Sequence, residues 1–288
     1  NDSDILAMSD NIGEAYGEPF ADFSALPTML ISKIASQYVK VVLSGDGGDE
    51  MFFGYERQWR VLRHNNFFVF PLLARKMIWA IDRFYSHNKY IKDYILEDTL
   101  GKAYFGLHSR FRNKDLDIIC PGLRDVRLPC RFDLYNSKRT MNNKEAAEWI
   151  RKTEFDGMLQ RVLAKVDNAS MFYSLEVRVP LLDLKVLETA AQIDYRENIG
   201  NDQGKQALKR ILARHMPGNL INVKKMGFSI PLEEWLRKEL RPFVEEYLFS
   251  GNIFLPELFD IGKIKEYYNE HCSGLRDRKW ILWTLLCL

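Results

Sequence analysis

Residues 39–55 read VKVVLSGDGGDEMFFGY, and this stretch decides the fold class. Val39 to Leu43 form a short, mostly apolar, β-branched run, which is typical of a strand buried on both faces of a parallel sheet. A glycine-rich turn follows, and from Phe52 to about Asn65 the pattern is helical. The order of strand, glycine turn and helix predicts one edge of an α/β unit.

The composition excludes several classes of protein. Of the 288 residues, 47% are hydrophobic, which is enough for the core of one large domain or two smaller ones. The 41 basic and 39 acidic residues nearly balance, so no strong field attracts nucleic acid or anionic lipid. The longest apolar stretch, Phe67 to Ala74, is too short to span a bilayer, and no secretory signal is visible. The four cysteines form no C-x-x-C pair, which favours reduced thiols in a cytoplasmic protein.

Outside the predicted strand the periodicity is mostly helical. Ser24 is expected to cap a helix whose apolar side is formed by Leu26, Leu30, Ile34 and Tyr38. Further helices are predicted at 4–16, 67–84, 89–112, 143–153, 157–174, 185–192, 203–215, 231–249, 257–272 and 275–287. Since a lone parallel strand cannot form a sheet, the other strands are expected upstream of Asn1.

The glycine turn combines backbone donors with three carboxylates. Backbone N–H groups at a helix N-terminus favour an anion, but acids beside phosphates require a bridging cation such as Mg²⁺. The turn is neither a Walker A motif nor G-x-G-x-x-G, and Arg57 occupies the twelfth position of a would-be EF-hand. On spacing alone two interpretations stay equally open. The turn is either a Mg–nucleotide site, with Ser44 and Gly45 near the nucleotide and Asp49 on the metal, or a surface turn that serves the backbone.

Three segments, in this order, carry a family resemblance. They are residues 18–55 (EPFADFSALPTMLISKIASQYVKVVLSGDGGDEMFFGY), 165–183 (KVDNASMFYSLEVRVPLLD) and 224–236 (KKMGFSIPLEEWL). Together they resemble the synthetase domain of the glutamine-hydrolysing asparagine synthetase family. That family is related to β-lactam synthetases and to amidotransferases of surface-polysaccharide pathways.

The resemblance implies an ATP-dependent carbon–nitrogen ligase, an asparagine synthase of the cytoplasm. In this family ATP and a carboxylic acid give an acyl-adenylate and pyrophosphate, and ammonia from a glutaminase domain then displaces AMP. L-Aspartate is the expected acceptor, asparagine the product, and ATP and Mg²⁺ the cofactors. Neither nucleic acid nor a membrane is an expected partner, and a homodimer stays open.

The resemblance also implies a fold. We expect a predominantly helical α/β protein that comprises the edge of an ATP-pyrophosphatase-type (adenine nucleotide alpha-hydrolase-like) parallel sheet and a large helical region. Residues 1–66 would form the C-terminal part of the nucleotide-binding α/β unit. Residues 67–150 would be a helical insertion, and residues 151–288 the helical half that completes the active site.

The nucleotide and metal positions follow from the resemblance of the glycine turn. Ser44 and Gly45 match positions that contact the adenylate, and Gly47 and Gly48 belong to the same cofactor-binding turn. Asp49 matches the second carboxylate ligand of Mg²⁺–pyrophosphate. The resemblance therefore favours the nucleotide interpretation of this turn.

The reacting groups are assigned in the same way. Asp46 matches an acidic or tyrosyl position beside the reacting carbonyl. Lys225 matches a lysine that neutralises the charge developing on the α-phosphate and acyl group, which a fixed cation stabilises. Glu18 and Asp22 match a loop that lines the acceptor pocket, and Asp167 is a further candidate for substrate contact.

Other charges in these segments are expected to be structural. Glu176, Arg178 and Asp183 are predicted to form a network that positions the wall of the active site. Lys205 and Lys209 are able to reach phosphate, but solvated helix charges are the commoner fate of such residues.

The sequence departs from the family pattern in two respects. The S-G-G-x-D-S-S pyrophosphate loop and the N-terminal glutaminase cysteine are not found, so we expect a truncated sequence that is inactive by itself. Gln160 and Arg161 also stand where many relatives carry an acid that orients the acceptor. This difference favours, as an alternative, an amidotransferase acting on another acid such as a sugar acid in surface-polysaccharide biosynthesis. A non-catalytic scaffold is the third hypothesis.

Overall fold

The computed structural model describes residues 8–85, 93–109, 113–123, 134–138, 140–200, 203–221, 230–251, 253 and 255–288. Over these ranges the chain is mostly helical and contains a small parallel sheet. The predicted α/β class with a helical majority is confirmed at this level. None of the helices in these ranges is both long and apolar enough to cross a bilayer.

The elements are numbered in chain order. The strands are β1 (Val41–Leu43) and β2 (Glu176–Arg178). The α-helices are α1 (Ile12–Tyr16), α2 (Ala25–Ser36), α3 (Gly48–Met51), α4 (Glu56–Arg63), α5 (Leu72–Tyr85), α6 (Leu100–His108), α7 (Asn113–Ile119), α8 (Asn143–Thr153), α9 (Leu159–Phe172), α10 (Leu184–Gln192), α11 (Tyr195–Asn198), α12 (Gln206–Leu212), α13 (Gly218–Ile221), α14 (Leu232–Arg237), α15 (Arg241–Phe243), α16 (Ile261–Cys272) and α17 (Lys279–Leu286). Single 3₁₀ turns lie at Ser9–Asn11, Asn65–Val69, Asp93–Leu96, Pro121–Leu123, Pro180–Leu182 and Pro256–Leu258, and π-helical turns lie at Glu154–Met158 and Val244–Phe249.

The sheet pairs β1 with β2 in parallel, with Val42 opposite Val177. The Ser44 N–H donates to the Arg178 carbonyl at 2.8 Å and extends the ladder past the end of β1. The expectation that every partner strand lies upstream of Asn1 is therefore wrong. Strand β2 could not be predicted from the sequence, because its three residues, Glu-Val-Arg, include only one apolar position and therefore show no strand periodicity.

The burial of β1 also differs from the prediction. Val41 is 40% exposed and Leu43 is 73% exposed, whereas Val42 between them is half-buried. Helix α9 packs against both α2 and β2. The apolar run therefore identified the strand correctly, but the prediction that it is buried on both faces is wrong over the described residues.

Three apolar clusters hold the elements together. The first joins the N-terminal residues and α2 to the C-terminal helices around the fully buried Leu26 and Leu236. The second lies between α4, α6 and α8. The third is small and joins Met51 and Phe52 to Ala190 and Ala207. This last cluster fixes the end of the glycine turn against α10 and α12.

The predicted helix boundaries agree best with the structure where residues next to the helix terminus cap it. Helix α8 spans the predicted 143–153, because Asn142 and Glu145 form a capping box at its start. The single helix predicted at 231–249 is instead divided into α14, α15 and a π-helical turn. Ser24 does not cap α2, because its hydroxyl donates to Asp22 Oδ1 at 2.6 Å.

Candidate active site

The glycine turn begins where β1 ends, at the carboxyl edge of the sheet. Gly47 has φ +83°, and a β-carbon there would lie 2.3 Å from Leu182 Cδ2. A β-carbon on Gly48 would lie 2.9 Å from Leu181 Cδ1. Both glycines therefore let the turn pass against the Pro180–Leu182 segment. Their predicted contact with a nucleotide stays a prediction, beside this packing role.

Ser44 and Asp46 are brought together within the turn. The Ser44 hydroxyl donates to Asp46 Oδ2, and the Asp46 N–H donates to Ser44 Oγ at 3.1 Å. Both residues are half-buried, while Gly45 between them is exposed. The turn thus presents one hydroxyl and one carboxylate at the sheet edge, where ligands commonly bind in α/β proteins.

Asp49 forms an ion pair that the sequence did not predict. Its Oδ1 lies 2.9 Å from Lys205 Nζ, and the two side chains are 23% and 31% exposed. The Lys205 N–H also donates to the Phe52 carbonyl at 2.9 Å. A β-carbon on Gly54 would lie 1.9 Å from Asp49 Oδ1 and 2.3 Å from the Lys205 Cε. Lys205 is therefore part of the site rather than a solvated helix charge, and the small residue at position 54 makes room for the pair.

The third carboxylate of the turn faces the interior. Glu50 is 2% exposed and accepts a 2.6 Å hydrogen bond from the Tyr55 hydroxyl. Burial raises the pKa of Glu50, because the charged form loses solvation there. Burial likewise raises the pKa of Tyr55, and the adjacent Glu50 carboxylate adds to that shift. Glu50 therefore anchors α3 instead of facing a ligand.

The carboxylates of the glycine turn determine whether the predicted Mg²⁺ fits this site. In the parts of the chain that the structure describes, no group of three His, Cys, Asp or Glu side chains is placed to hold a metal ion. Asp46 and Asp49 are both half-buried with access to solvent. Mg²⁺ in nucleotide sites commonly takes one or two protein carboxylates and fills its other positions with phosphate oxygens and water. The residues present are compatible with a cation that arrives with a nucleotide, and the assignment of Asp49 as its ligand stays a prediction.

A buried ionic cluster lies behind α3. Arg57 Nε and Nη2 donate to the two oxygens of Glu154, each at 2.8 Å, and the Tyr104 hydroxyl and His108 Nε2 contact the same carboxylate. Burial would raise the pKa of Glu154, but hydrogen bonds from His108 and Arg57 lower it to about 2. Helix α3 packs against the π-helical turn Glu154–Met158. This cluster therefore fixes the wall on which Asp49 sits.

Asp22 lies in a polar cluster at the start of α2. Its side chain is 9% exposed and accepts hydrogen bonds from the Ser24 N–H and hydroxyl, at 3.0 Å and 2.6 Å. Lys165 Nζ donates to Ser24 Oγ at 2.8 Å, and Arg161 Nε lies 3.8 Å from Asp22 Oδ2. Burial opposes ionisation, yet Lys165, Ser24 and Arg161 together lower the pKa of Asp22. Asp22 is thus an ionised carboxylate whose partners hold it in place.

A cavity of about 1040 Å³ adjoins this cluster, and Glu18 and Arg161 are among its lining residues together with Phe20, Trp149 and Gln160. Only three residues separate α9 from β2, and α9 packs on β2, so the two elements run in opposite directions. The first turn of α9, which contains Arg161, therefore lies toward the same sheet edge as Ser44.

The remaining predicted residues divide into two groups. Asp167 is exposed on α9, roughly 9 Å along the helix axis from Arg161. Its role stays a prediction. Lys225 lies outside the described residues, within 222–229.

The predicted charge network of the second segment forms between only two of its three members. Arg178 Nε lies 2.7 Å from Glu176 Oε1, and both side chains are more than half exposed. Asp183 instead caps α10 by accepting the Lys185 N–H at 2.9 Å. The predicted inclusion of Asp183 in this network is wrong, because Asp183 serves the helix terminus.

Comparisons with known proteins give one consistent result. The profile of the family described as asparagine synthase matches residues 1–288. A putative glutamine-hydrolyzing asparagine synthetase of Mycobacterium tuberculosis is 29% identical over 280 residues, which are 93% of this chain and 41% of that protein. Glutamine-hydrolyzing asparagine synthetase 1 of Bacillus subtilis is 28% identical over 286 residues, 94% of this chain and 43% of that protein.

A third relative matches a shorter stretch of the chain at a higher sequence identity. A putative asparagine synthetase of Methanocaldococcus jannaschii is 50% identical over 52 residues, 18% of this chain and 10% of that protein. The chain spans about two fifths of the length of the mycobacterial and Bacillus relatives. No solved structure matches it significantly.

Proposed function

The chain belongs to the asparagine synthase family, and from that premise we propose that it supplies one side of an ATP-dependent amide-forming active site. In the proposed reaction an acceptor carboxylate oxygen attacks the α-phosphorus of ATP, and the bond to pyrophosphate breaks. Ammonia derived from glutamine then attacks the acyl carbon, AMP leaves, and the nitrogen loses a proton to give the amide. The observation that carries this proposal is the Ser44–Asp46–Asp49 turn at the carboxyl edge of the sheet, with Lys205 held against Asp49.

The proposal extends to the sheet. In it, β1 and β2 form the edge of an ATP-pyrophosphatase-type sheet, and residues 1–66, 67–150 and 151–288 are its nucleotide-binding, inserted and completing parts. Strands of such sheets are normally covered on both faces. The exposed Val41 and Leu43 leave a face of β1 on which other parts of such a fold can pack, and this supports the extension.

Each residue of the turn has a defined part in the proposed mechanism. Ser44 and Gly45 contact the nucleotide, because the hydroxyl and the exposed backbone lie at the sheet edge. Asp49 would hold Mg²⁺, which neutralises phosphate charge when bound. Lys205 orients Asp49 through its 2.9 Å contact. Asp46 lies beside Ser44 and faces the reacting carbonyl.

Lys225 completes the proposed machinery. A fixed cation near the α-phosphorus stabilises the negative charge that develops on the phosphoryl and acyl oxygens. The family resemblance supports this role for Lys225, which is followed two residues later by Gly227 in the segment KKMGF.

L-Aspartate is the proposed acceptor, since the relatives that match most of the chain are named asparagine synthetases. A second candidate is an amidotransferase that acts on a larger ring-bearing acid, such as a sugar acid. The cavity favours this second candidate, because its volume of about 1040 Å³ and its aromatic residues Phe20 and Trp149 suit a ring. Arg161, whose side chain is 51% exposed, is placed to bind the carboxylate of such an acid.

The test is ATP–pyrophosphate exchange by the complete gene product, with L-aspartate and hexuronic acids offered separately. Exchange that depends on an added acid is expected, and the acid that supports it identifies the acceptor. Lys225→Ala should abolish exchange, whereas the adjacent Lys224→Ala serves as a matched control that retains it.

Residues 1–288 expressed alone are expected to give no exchange. A folded complete gene product that neither binds ATP nor supports exchange with any acid would favour the non-catalytic scaffold. Retained exchange in Lys225→Ala would exclude only the role of that lysine.

A further inference from the structure

A cavity of about 280 Å³ lies between α8 and the C-terminal end of α10. On the α8 side it is lined by residues whose spacing places them on one face of the helix, namely Lys144, Ala147, Glu148 and Arg151. Residues 191–195 line the opposite side. The cavity of about 1040 Å³ beside the start of α2 has no lining residue in common with it, so the two are separate sites.

Arg151 is the buried charge of this cavity. It is 8% exposed, and its Nη1 and Nη2 donate to the carbonyls of Ala191 and Ile193 at 3.1 Å and 3.2 Å. These bonds cap the end of α10 and use two of the five N–H groups of the guanidinium. Nε is buried without a hydrogen-bond partner, and Arg151 forms no ion pair with any carboxylate that the structure describes. Because buried charges are normally paired, the guanidinium is suited to an anionic group.

Two carboxylates limit the kind of anion that fits, because Glu148 and Asp194 line the same cavity. Burial lowers the pKa of Arg151, and the charges of these two acids oppose that shift without forming an ion pair with it. Asp194 is engaged by Arg196, whose Nε and Nη2 donate to its two oxygens at 2.9 Å and 2.8 Å, whereas Glu148 is exposed and has no ion-pair partner among the described residues. Both acids repel a multiply charged anion, so the fitting ligand carries a positive group beside a single carboxylate.

We propose that this cavity binds a small free α-amino acid. The carboxylate of the ligand accepts hydrogen bonds from the Arg151 guanidinium, which is a charge-assisted pairing, and the exposed Lys144 adds a second positive charge. The ammonium of the ligand faces Glu148, about one helical turn from Arg151. The volume of about 280 Å³ lies below the range of about 300–1,000 Å³ that is typical of drug-sized ligands, so the ligand is small.

The site adjoins the residue that follows the glycine turn and α3. The Arg151 guanidinium carbon lies 5.1 Å from the centre of the Phe53 ring. Phe53 is fully buried and has φ +56°, a left-handed conformation that residues other than glycine seldom adopt. An occupant of the cavity therefore contacts a side chain that itself packs on Phe53. Its binding involves no step of the proposed reaction, so this inference does not depend on that reaction.

The first experiment is isothermal titration calorimetry of the complete gene product with glycine, acetate and inorganic phosphate. Glycine is the smallest α-amino acid and is neither substrate nor product of the proposed reaction. It is expected to bind saturably at millimolar concentration, and more tightly than acetate, which lacks the ammonium, or phosphate. Arg151→Lys should weaken glycine binding by about tenfold or more, because an ammonium does not offer the bidentate fork of a guanidinium. Absence of saturable glycine binding, or equal or tighter binding of acetate or phosphate, would overturn the proposal.

Two substitutions at exposed positions keep the test independent of folding. Lys144→Gln should weaken glycine and acetate binding alike by about threefold, and Glu148→Gln should weaken glycine binding by about threefold without weakening acetate binding. Lys185→Gln and Glu188→Gln make the same changes at exposed positions of α10 outside the cavity, and both should bind glycine as the wild type does. Arg161→Gln alters the proposed acceptor cavity and should also retain glycine binding. Glycine binding that is lost in Arg161→Gln but kept in Glu148→Gln would place the ligand in the acceptor cavity and contradict the proposal.

Discussion

One group of charge packs against helix α3 and another includes Asp49 of α3 itself, and the two are built differently. Glu154 has a side chain with no solvent exposure, and Arg57, Tyr104 and His108 all contact its carboxylate. Asp49 is 23% exposed and lies against Lys205, which is 31% exposed. A carboxylate bound from several sides in the interior cannot change partners without a large loss of stability. A carboxylate near water can change partners at a small cost in stability, so the difference separates a charge that holds the wall from a charge that is able to take the proposed metal ion.

The largest effect is expected from Asp49→Asn in the complete gene product. Pyrophosphate exchange should fall by about 100-fold or more, because the proposed metal carboxylate is lost. The free energy of unfolding in urea should change by less than about 0.5 kcal/mol, since the Asp49–Lys205 pair is partly solvated. Glu176→Gln, in an exposed ion pair within strand β2, is the control for both measurements. A loss of stability as large as that of the Glu154 variant would erase the distinction between the two groups.

Glu154→Gln should show the opposite pattern. Its free energy of unfolding is expected to fall by about 3 kcal/mol, because the Arg57 guanidinium, whose side chain is only 19% exposed, loses its ionic partner. Glu148→Gln on the exposed side of α8 is the matched control and should be neutral within about 0.5 kcal/mol. Urea unfolding followed by circular dichroism measures both. A neutral Glu154→Gln would show that the cluster is not a structural anchor.

The same cluster should make stability depend on pH. Burial lowers the pKa of His108, so the unfolded chain takes up its proton below about 6.5 while the folded chain resists. The pKa of Glu154 is lowered to about 2, so its contribution is present above about 4.5 and is lost as pH falls toward 2. Stability should therefore fall as pH decreases from 6.5, by up to about 1.4 kcal/mol per pH unit for each proton.

His108→Gln isolates the upper part of this dependence. The slope of unfolding free energy between pH 6.5 and 5 should decrease in the variant, as measured by urea titrations at each pH, because the titrating imidazole is gone. His215→Gln, a substitution on an exposed residue, should leave the slope unchanged. An unaltered slope in His108→Gln would mean that the imidazole does not resist protonation in the folded state.

The smallest effect is expected from Gly54→Ala. The new methyl group would meet Asp49 Oδ1 and Lys205 Cε, so both side chains must shift. We expect about a tenfold loss of exchange activity and a loss of about 1 kcal/mol in stability. Gly13→Ala is the control, because a β-carbon there has nothing within 4 Å. Full activity in Gly54→Ala would show that the pair tolerates displacement and is not preorganised.

Local chemistry explains which parts of the fold could be predicted from the sequence. Strand β1, the glycine turn and the bounds of α8 each depend on residues close together in the chain, such as the Asn142–Glu145 capping box. The division of the 231–249 helix was missed, because a π-helical turn leaves the helical periodicity of a sequence largely intact.

The site was predicted only in part for a related reason. The glycine turn carries its own signal, but Lys205 pairs with Asp49 across 156 residues, and Arg57 pairs with Glu154 across 97 residues. The residues that flank Lys205 and Arg57 in the sequence do not indicate that either side chain pairs with a distant carboxylate. The tertiary fold selects these pairs, and a single sequence does not reveal them.

The π-helical turn Glu154–Met158 joins α8 to α9, so residues 143–172 form one continuous helix of roughly 45 Å. Deletion of a single residue within the turn would rotate α9 by about 100° relative to α8. Arg161 and Lys165 would then turn away from Asp22, while Glu154 would keep its partners. An insertion or deletion at this one point therefore reorients all the residues of α9 that line the cavity together, which no single substitution does.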